Sequence, residues 1–170
     1  MAGPAVPKVL KNFNLFIGGV GFAGLCEEVK LPDMKIKMEE HRAGGMDMPV
    51  AIDLGMDRME MGFTLAEHAP GVFKVFGLRS GIAVSLMFRA ALVDDANVVP
   101  YQIIANGMPT DVRLGTVKNG SISKMEATVS LRNFQLSLND KILIDVDVDL
   151  MTRVIDGVDQ MGAIRNAIGL

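Results

Sequence analysis

The chain has 170 residues, a net charge of −3, 49% apolar residues and a mean hydropathy of +0.31. That length carries one domain with a real core rather than two separated ones, and the acidic balance, with a pI near 5.4, excludes an electrostatic nucleic-acid binder, which needs clustered Lys and Arg to displace counterions from phosphates. No stretch reaches the ~18 uninterrupted apolar residues of a membrane helix, because the longest candidate, residues 15–25, is cut by Gly18, Gly19, Gly21 and Gly24.

The N-terminal sequence MAGPAVPKVLKNFNLF lacks the charged start and apolar core of a secretory signal, so the expectation is a cytoplasmic beginning. Period-two alternation then recurs along most of the chain, the mark of strands with one buried face. Residues 13–18 and 22–29 flank the Gly-rich step at 18–21 and read as a hairpin. From 34 to 41, Met34, Ile36 and Met38 share one face while Lys35, Lys37, Glu39 and His41 share the other. A Gly-centred loop follows, Arg42-Ala43-Gly44-Gly45-Met46-Asp47-Met48-Pro49, an unusual place for two methionines. Met59, Met61, Phe63 and Leu65 mark another half-buried strand. Over 70–78 the period becomes helical, with Pro70 in the first turn and Gly77 at the end. Strands through Ile82–Val93 and Val98–Val112 are joined by the polar turn Asp94-Asp95-Ala96-Asn97.

The stretch 121–138 changes its apolar face halfway: Met125, Ala127, Val129 and Leu131 are odd-numbered, Phe134, Leu136 and Leu138 even. A strand changes face only through a bulge or a change of surroundings, so either a bulge near Asn133 or two halves lying on different bodies, the subunit's own core and a neighbour, accounts for it. Asn139-Asp140 turns the chain into a strand over 141–151, where Asp145, Asp147 and Asp149 oppose Ile144, Val146, Val148 and Leu150. A helix is expected over about 158–168, with Asp156 as N-cap and Gly169 as its stop. The apolar excess of this mainly β chain points to burial between subunits.

The raw material for catalysis is thin. His41 and His68 are the only histidines and neither lies in HExxH; GxSxG and Walker motifs are absent, and the glycines at 18–24 precede a strand rather than the helix a dinucleotide loop requires. Cys26 is alone and reads as a buried structural thiol. The Asp145, Asp147, Asp149 row is the one constellation to weigh as a metal site, but successive side chains on one strand face stand ~6.6 Å apart, too far to close on one ion. A solvated or lumen-facing row is favoured. The expectation is no enzyme, no cofactor and no metal.

Three blocks carry a family resemblance. They are Asn14-Leu15-Phe16-Ile17-Gly18-Gly19 with Phe22-Ala23-Gly24; Leu31-Pro32 through Glu40 with Arg42-Ala43-Gly44-Gly45-Met46 and Pro49 through Met56; and Ile155-Asp156-Gly157-Val158-Asp159-Gln160 with Arg165-Asn166 and Gly169-Leu170. On these the chain resembles the major tail tube proteins of contractile-tailed bacteriophages, the type shared by temperate myophages and R-type pyocin-like particles. The resemblance runs nearly end to end and is loose between 79 and 150. It implies a β-barrel or sandwich of residues 1–170 with one or two short flanking helices, joining its sheet to its neighbours' in a homohexameric ring, rings stacking into a helical tube. It further implies a contractile sheath around the tube, tape measure, baseplate and terminator proteins as partners, DNA passing down the lumen, assembly in the host cytoplasm and a place in the virion. The loop at 42–48 matches the family's inter-ring stacking loop, with Met46 and Met48 filling an apolar pocket on the adjacent ring, and Asp145, Asp147 and Asp149 become candidates for the lumen wall. Rival readings are a type VI secretion tube and a monomeric cytoplasmic β-barrel holding a small ligand in an apolar cavity.

Overall fold

A computed structural model describes residues 7–76, 83–94 and 97–170. The elements are β1 (Val9–Ile17), β2 (Val20–Gly21), β3 (Cys26–Lys30), β4 (Ile36–His41), β5 (Val50–Met56), β6 (Glu60–Leu65), α1 (Pro70–Phe76), β7 (Val84–Asp94), β8 (Asn97–Arg113), β9 (Met125–Leu138), β10 (Lys141–Asp147), β11 (Thr152–Ile155), β12 (Val158–Asp159) and α2 (Gly162–Ala167). The expected helix end at Gly77, the strand start at Ile82 and the turn residues Asp95 and Ala96 lie outside the described residues.

Alternation builds the main antiparallel sheet, ordered β12-β11-β10-β9-β8-β7-β1-β2. Its inner face carries Leu15, Leu86, Phe88, Ile103, Ala105, Phe134 and Val146, all buried. β6 and β3 continue the sheet from the first half of β9, and β3 comes back against β1, so the sheet wraps round one contiguous apolar cluster. Met61, Phe63 and Leu65 fill that cluster from β6, and Val72 of α1 covers it at one end. Each such side chain contributes roughly 1.5–3 kcal/mol by leaving water.

β9 resolves the two readings of its changing face in favour of the bulge. Asn133 pairs with Asn106 and Leu131 with Gly107, leaving Arg132 as the extra residue. The apolar parity shifts there, so that Leu131 and Phe134 both enter the same core. The edge partner changes at the same place: residues 125–130 pair with β6 and 133–138 with β10. Gly107 is required opposite the bulge, since a Cβ there would stand 2.2 Å from the Ser130 carbonyl oxygen.

Two expectations are corrected, and one strand emerges where none was read. The Gly-rich step joins only Phe16 and Ile17 to Val20 and Gly21, while β3, expected as the second strand of that hairpin, pairs with β6; a local pattern does not reveal a long-range partner. Residues 50–56, read only as a sequence block, form a strand against β4. Asp156 is no N-cap: with φ of +46° and Gly157 at +82° it makes the tight turn between β11 and β12, the Asp-Gly signature of a hairpin, and α2 begins only at Gly162. Gly169, at φ +84°, ends that helix as expected, and the Leu170 amide donates to the Arg165 carbonyl.

Candidate assembly surfaces

β4 and β5 form a separate two-stranded sheet that no other element packs against substantially. The root is anchored by Met56 at the edge of the core and by the Asp57 amide donating to the Lys35 carbonyl at 2.8 Å. Beyond it the ribbon stands free as an arm. Glu39 faces Ile52 and His41 faces Val50 across the ladder, so Val50, Ile52 and Leu54 lie on one face, and Ile36 and Met38 on the other. All five are exposed. A lone hairpin is marginal in water, and this one leaves apolar side chains wet on both sides.

The tip holds the loop at 42–48. Gly45, at φ +86°, makes the turn that brings the Met46 amide to the Ala43 carbonyl at 3.2 Å. Arg42 clamps it by donating to the carbonyls of Met46, at 3.3 Å, and Asp47, at 3.2 Å. Met46 is half-buried against its own turn, its sulfur accepting from the Ala43 amide. Met48 is 72% exposed, so of the two methionines it is the one presented outward. The clamp role of Arg42 carries no signal in the sequence, since it depends on the turn that Gly45 makes.

The outer face of the main sheet is different. Across β1, β7, β8, β9 and β10 the register sets side by side Asn14, Arg89, Gln102 and Ser137 in one row, and Ser85, Asn106, Asn133 and Asp147 in another. Asp145 and Asp147 belong to this face and are held by their β9 neighbours. The Gln135 amide donates to Asp145 at 3.3 Å and the Asn133 amide to Asp147 at 3.0 Å. The Leu150 backbone N–H also donates to Asp147 and, with Asn133, keeps its carboxyl below the usual carboxylate range. Asp149 stands apart, past the end of β10, 3.7 Å from Arg132. The three carboxylates therefore have separate partners, and among the described residues no three His, Cys, Asp or Glu side chains lie close enough to hold a metal.

At one lateral end of the sheet the C-terminal unit β12–α2 buries no helix residue. It is fixed by Arg165, which pairs with Asp159 and donates to the Met151 carbonyl at 2.9 Å, while Asp159 also accepts from the Met161 amide. Val158, Ile164 and Ile168 remain exposed. At the opposite end, β2 pairs with only Phe16 and Ile17 of β1, and the Phe22 amide donates to the Leu15 carbonyl at 2.8 Å, leaving the edge over 9–14 without a strand partner among the described residues, beside exposed Val9 and Leu10.

His41 lies exposed on the arm, and His68 bonds the Leu114 carbonyl at 3.0 Å. Cys26 is half-buried against the core, its thiol pushed up to about 11 by burial. A groove of about 530 Å³ at the arm's root is lined by groups that pair among themselves, among them Arg58 with Glu60 and Arg113 with Glu126. The apolar void between α1 and the sheet holds about 10 Å³, at the limit for one water, so it takes no small apolar ligand.

The phage tail tube protein FII family model matches residues 7–169. The chain belongs to that family. This tube protein is 28% identical over 171 residues to the tail tube protein of Escherichia phage P2, covering 98% of this chain and 99% of the relative. It is 26% identical over 147 residues to the major tail tube protein of Serratia phage KSP20, covering 85% of each. Its fold is similar to that of a chain in the PVC extracellular contractile injection system sheath/tube terminator, with a TM-score of 0.59 over 79% of this chain and 99% of that one at 14% identity. It is likewise similar to a chain of the anti-feeding prophage tube terminating cap, with a TM-score of 0.59 over 81% and 95% at 13% identity. A tail tube protein is a structural component of the virion.

Proposed function

We propose that residues 1–170 act as one tube domain that closes into homohexameric rings, and that these rings stack into the inner tube of a contractile tail. The observation that carries this reading is the two-sided exposure of the β4–β5 arm beside a main sheet with open lateral edges. Joining copies edge to edge pairs the free backbone groups that otherwise template aggregation, and stacking gives the arm a surface to cover. The 42–48 tip, with Met48 outward, is the inter-ring contact.

In such a ring one sheet face must line the lumen, and the inner face is already occupied by the core. The amide- and hydroxyl-bearing outer face, with Asp145 and Asp147, is then the wall along which DNA passes. Its carboxylates repel a polyanion, and the single cation in the rows above, Arg89, is too little for a cationic grip. Asp149, beyond the strand, contributes less to it. The solved contractile systems include a sheath–tube complex and a tube terminator; by analogy a sheath surrounds this tube, terminator, baseplate and tape measure proteins define its ends and length, and assembly takes place in the host cytoplasm. The subunit needs no cofactor, and catalysis has no part in this role.

Negative-stain microscopy of the purified chain tests the reading: rings or tubes are expected, and a protein that stays monomeric at all concentrations overturns it. Within tubes, replacing Asp145 and Asp147 together by Lys is expected to leave assembly intact and slow DNA release from reconstituted particles. Unchanged release would remove the wall assignment.

A further inference from the structure

We infer that the C-terminal unit β12–α2 is a strap docked over the edge of β11, and that it swings off when β1 of a second copy takes its place there. This rests on the tube reading and adds a gate to the lateral joint. Joining copies edge to edge needs a free strand edge on each side, and the two ends of the sheet are unequal. On β1, among the described residues, the stretch 9–14 is paired on the β7 side alone. At the other end β11 spans only Thr152–Ile155, and the strap covers most of it. Asp159 pairs with Val154, Val158 with Ile155, and the Gln160 amide donates to the Arg153 carbonyl at 2.8 Å. β12 itself offers a neighbour only Val158 and Asp159.

Strand direction decides between β11 and β12 as the strand that a neighbour joins. Every step from β1 through β7, β8, β9 and β10 to β11 is antiparallel, so β11 runs opposite to β1, and β12 runs with it. Copies in a ring are related by rotation about its axis, so each β1 runs the same way as the next. A neighbour's β1 therefore meets β11 antiparallel, like the rest of the sheet, but meets β12 parallel, where the bonds are slanted and the pairing weaker. Followed across the sheet, the register sets Ile155 level with Leu15, by way of Ile144, Leu136, Ile103 and Phe88. The open stretch of β1 is thus offset along the strands from β11, and closing a barrel of tilted strands requires a stagger of this kind.

The strap is built to leave. α2 buries no residue, so undocking it uncovers no core. Beyond the short ladder it is held by Arg165, which pairs with Asp159 and donates to the Met151 carbonyl. Met151 stands at φ +53°, a left-handed conformation that an L side chain resists, so release also relieves strain at the anchor. Covered and shortened edges keep sheets from pairing out of turn. Here the cover makes a lone subunit one-sided: it offers β1 to a neighbour but accepts none until its strap is off.

The test is a lock on the full chain. With Cys26→Ser, Val154→Cys and Asp159→Cys together, the two new thiols face each other across the β11–β12 ladder, and oxidised glutathione joins them and fastens the strap. The oxidised protein is expected to form no sedimentable tubes and the same protein after reduction to form them; tubes in equal yield from both overturn the inference. Arg165→Ala loosens the strap and is expected to speed assembly, lowering the concentration at which tubes appear by up to about tenfold, the weight of one charged hydrogen bond. A strap that stays in the joint predicts the opposite, so unchanged or slower growth of Arg165→Ala overturns the gate while the tube reading stands. If neither wild type nor Arg165→Ala assembles at any concentration, both fall.

Discussion

The main sheet and the β4–β5 arm are written in the same local code, yet they do opposite work. In β6, and in β7 as far as Ala90, every second residue is buried and its neighbours are exposed or half-buried. In the arm the alternation is as regular, but the apolar residues of β4 and β5 fall on opposite faces and nothing covers either. The difference teaches where free energy goes in this chain: the sheet uses its apolar area to fold, whereas the arm's area stays uncovered within the subunit and, on the function proposed above, serves association.

That division is tested most sharply in the body. Leu86, fully buried on β7, leaves a cavity when cut to Ala, and Leu86→Ala is expected to cost about 2–5 kcal/mol, read as a lower denaturant midpoint at an unchanged slope. Gly107→Ala should cost about 3 kcal/mol by overpacking, because its Cβ runs into the Ser130 carbonyl at the bulge. A Gly107→Ala protein as stable as wild type would mean that β8 and β9 are not held at the bulge as described.

The arm predicts the reverse pattern. Met48→Asp changes a side chain that is 72% exposed, so stability should move by no more than about 0.5 kcal/mol while tube assembly, followed by light scattering, is expected to be lost. Met46→Asp is the less clean experiment, since the Met46 sulfur belongs to the turn that Arg42 clamps. A Met48→Asp protein that unfolds early would show that the arm is part of the folding unit and remove the contrast between the two regions.

The legibility of the molecule follows the same line. Strands with one buried face announced themselves, and the parity change between Leu131 and Phe134 located the bulge to within a residue or two. The sequence pattern could not show that β3 pairs with β6 rather than with β1, because pairing over 30 residues leaves no local periodicity. β5 alternates Val50, Ile52 and Leu54, but Pro49 precedes it and Gly55 interrupts it, and no strand was read there. Asp156-Gly157 was legible and misread: the pair encodes a hairpin turn, and the helical spacing of Val158 and Met161 competed with it. The loop at 42–48 was found from its glycines and methionines. Which methionine faces outward depended on a side-chain-to-backbone contact inside the turn, and that has no pattern in sequence.

The smallest effect concerns the C-terminal unit, which resembles the arm in lacking apolar anchorage but is held by charge. Asp159 is kept below its ordinary value of 3.8 chiefly by the Arg165 hydrogen bond, and Asp156 likewise by Lys141. A carboxylate whose folded pKa is depressed stabilises the folded form fully above its unfolded value and loses that contribution as pH falls through the folded one. β12 and α2 should therefore stay docked at neutral pH and loosen below about pH 3.8, ahead of the main sheet, whose core contains no buried charge among the described residues. Hydrogen exchange measured down that pH range should show amides of 158–168 losing protection first. Arg165→Ala should produce the same local loss already at pH 7 with little change in the global unfolding midpoint. If protection in 158–168 and in the sheet instead fell together, the C-terminal unit would belong to the cooperative body, and its exposed Val158, Ile164 and Ile168 would need another explanation than a surface held ready for a neighbour.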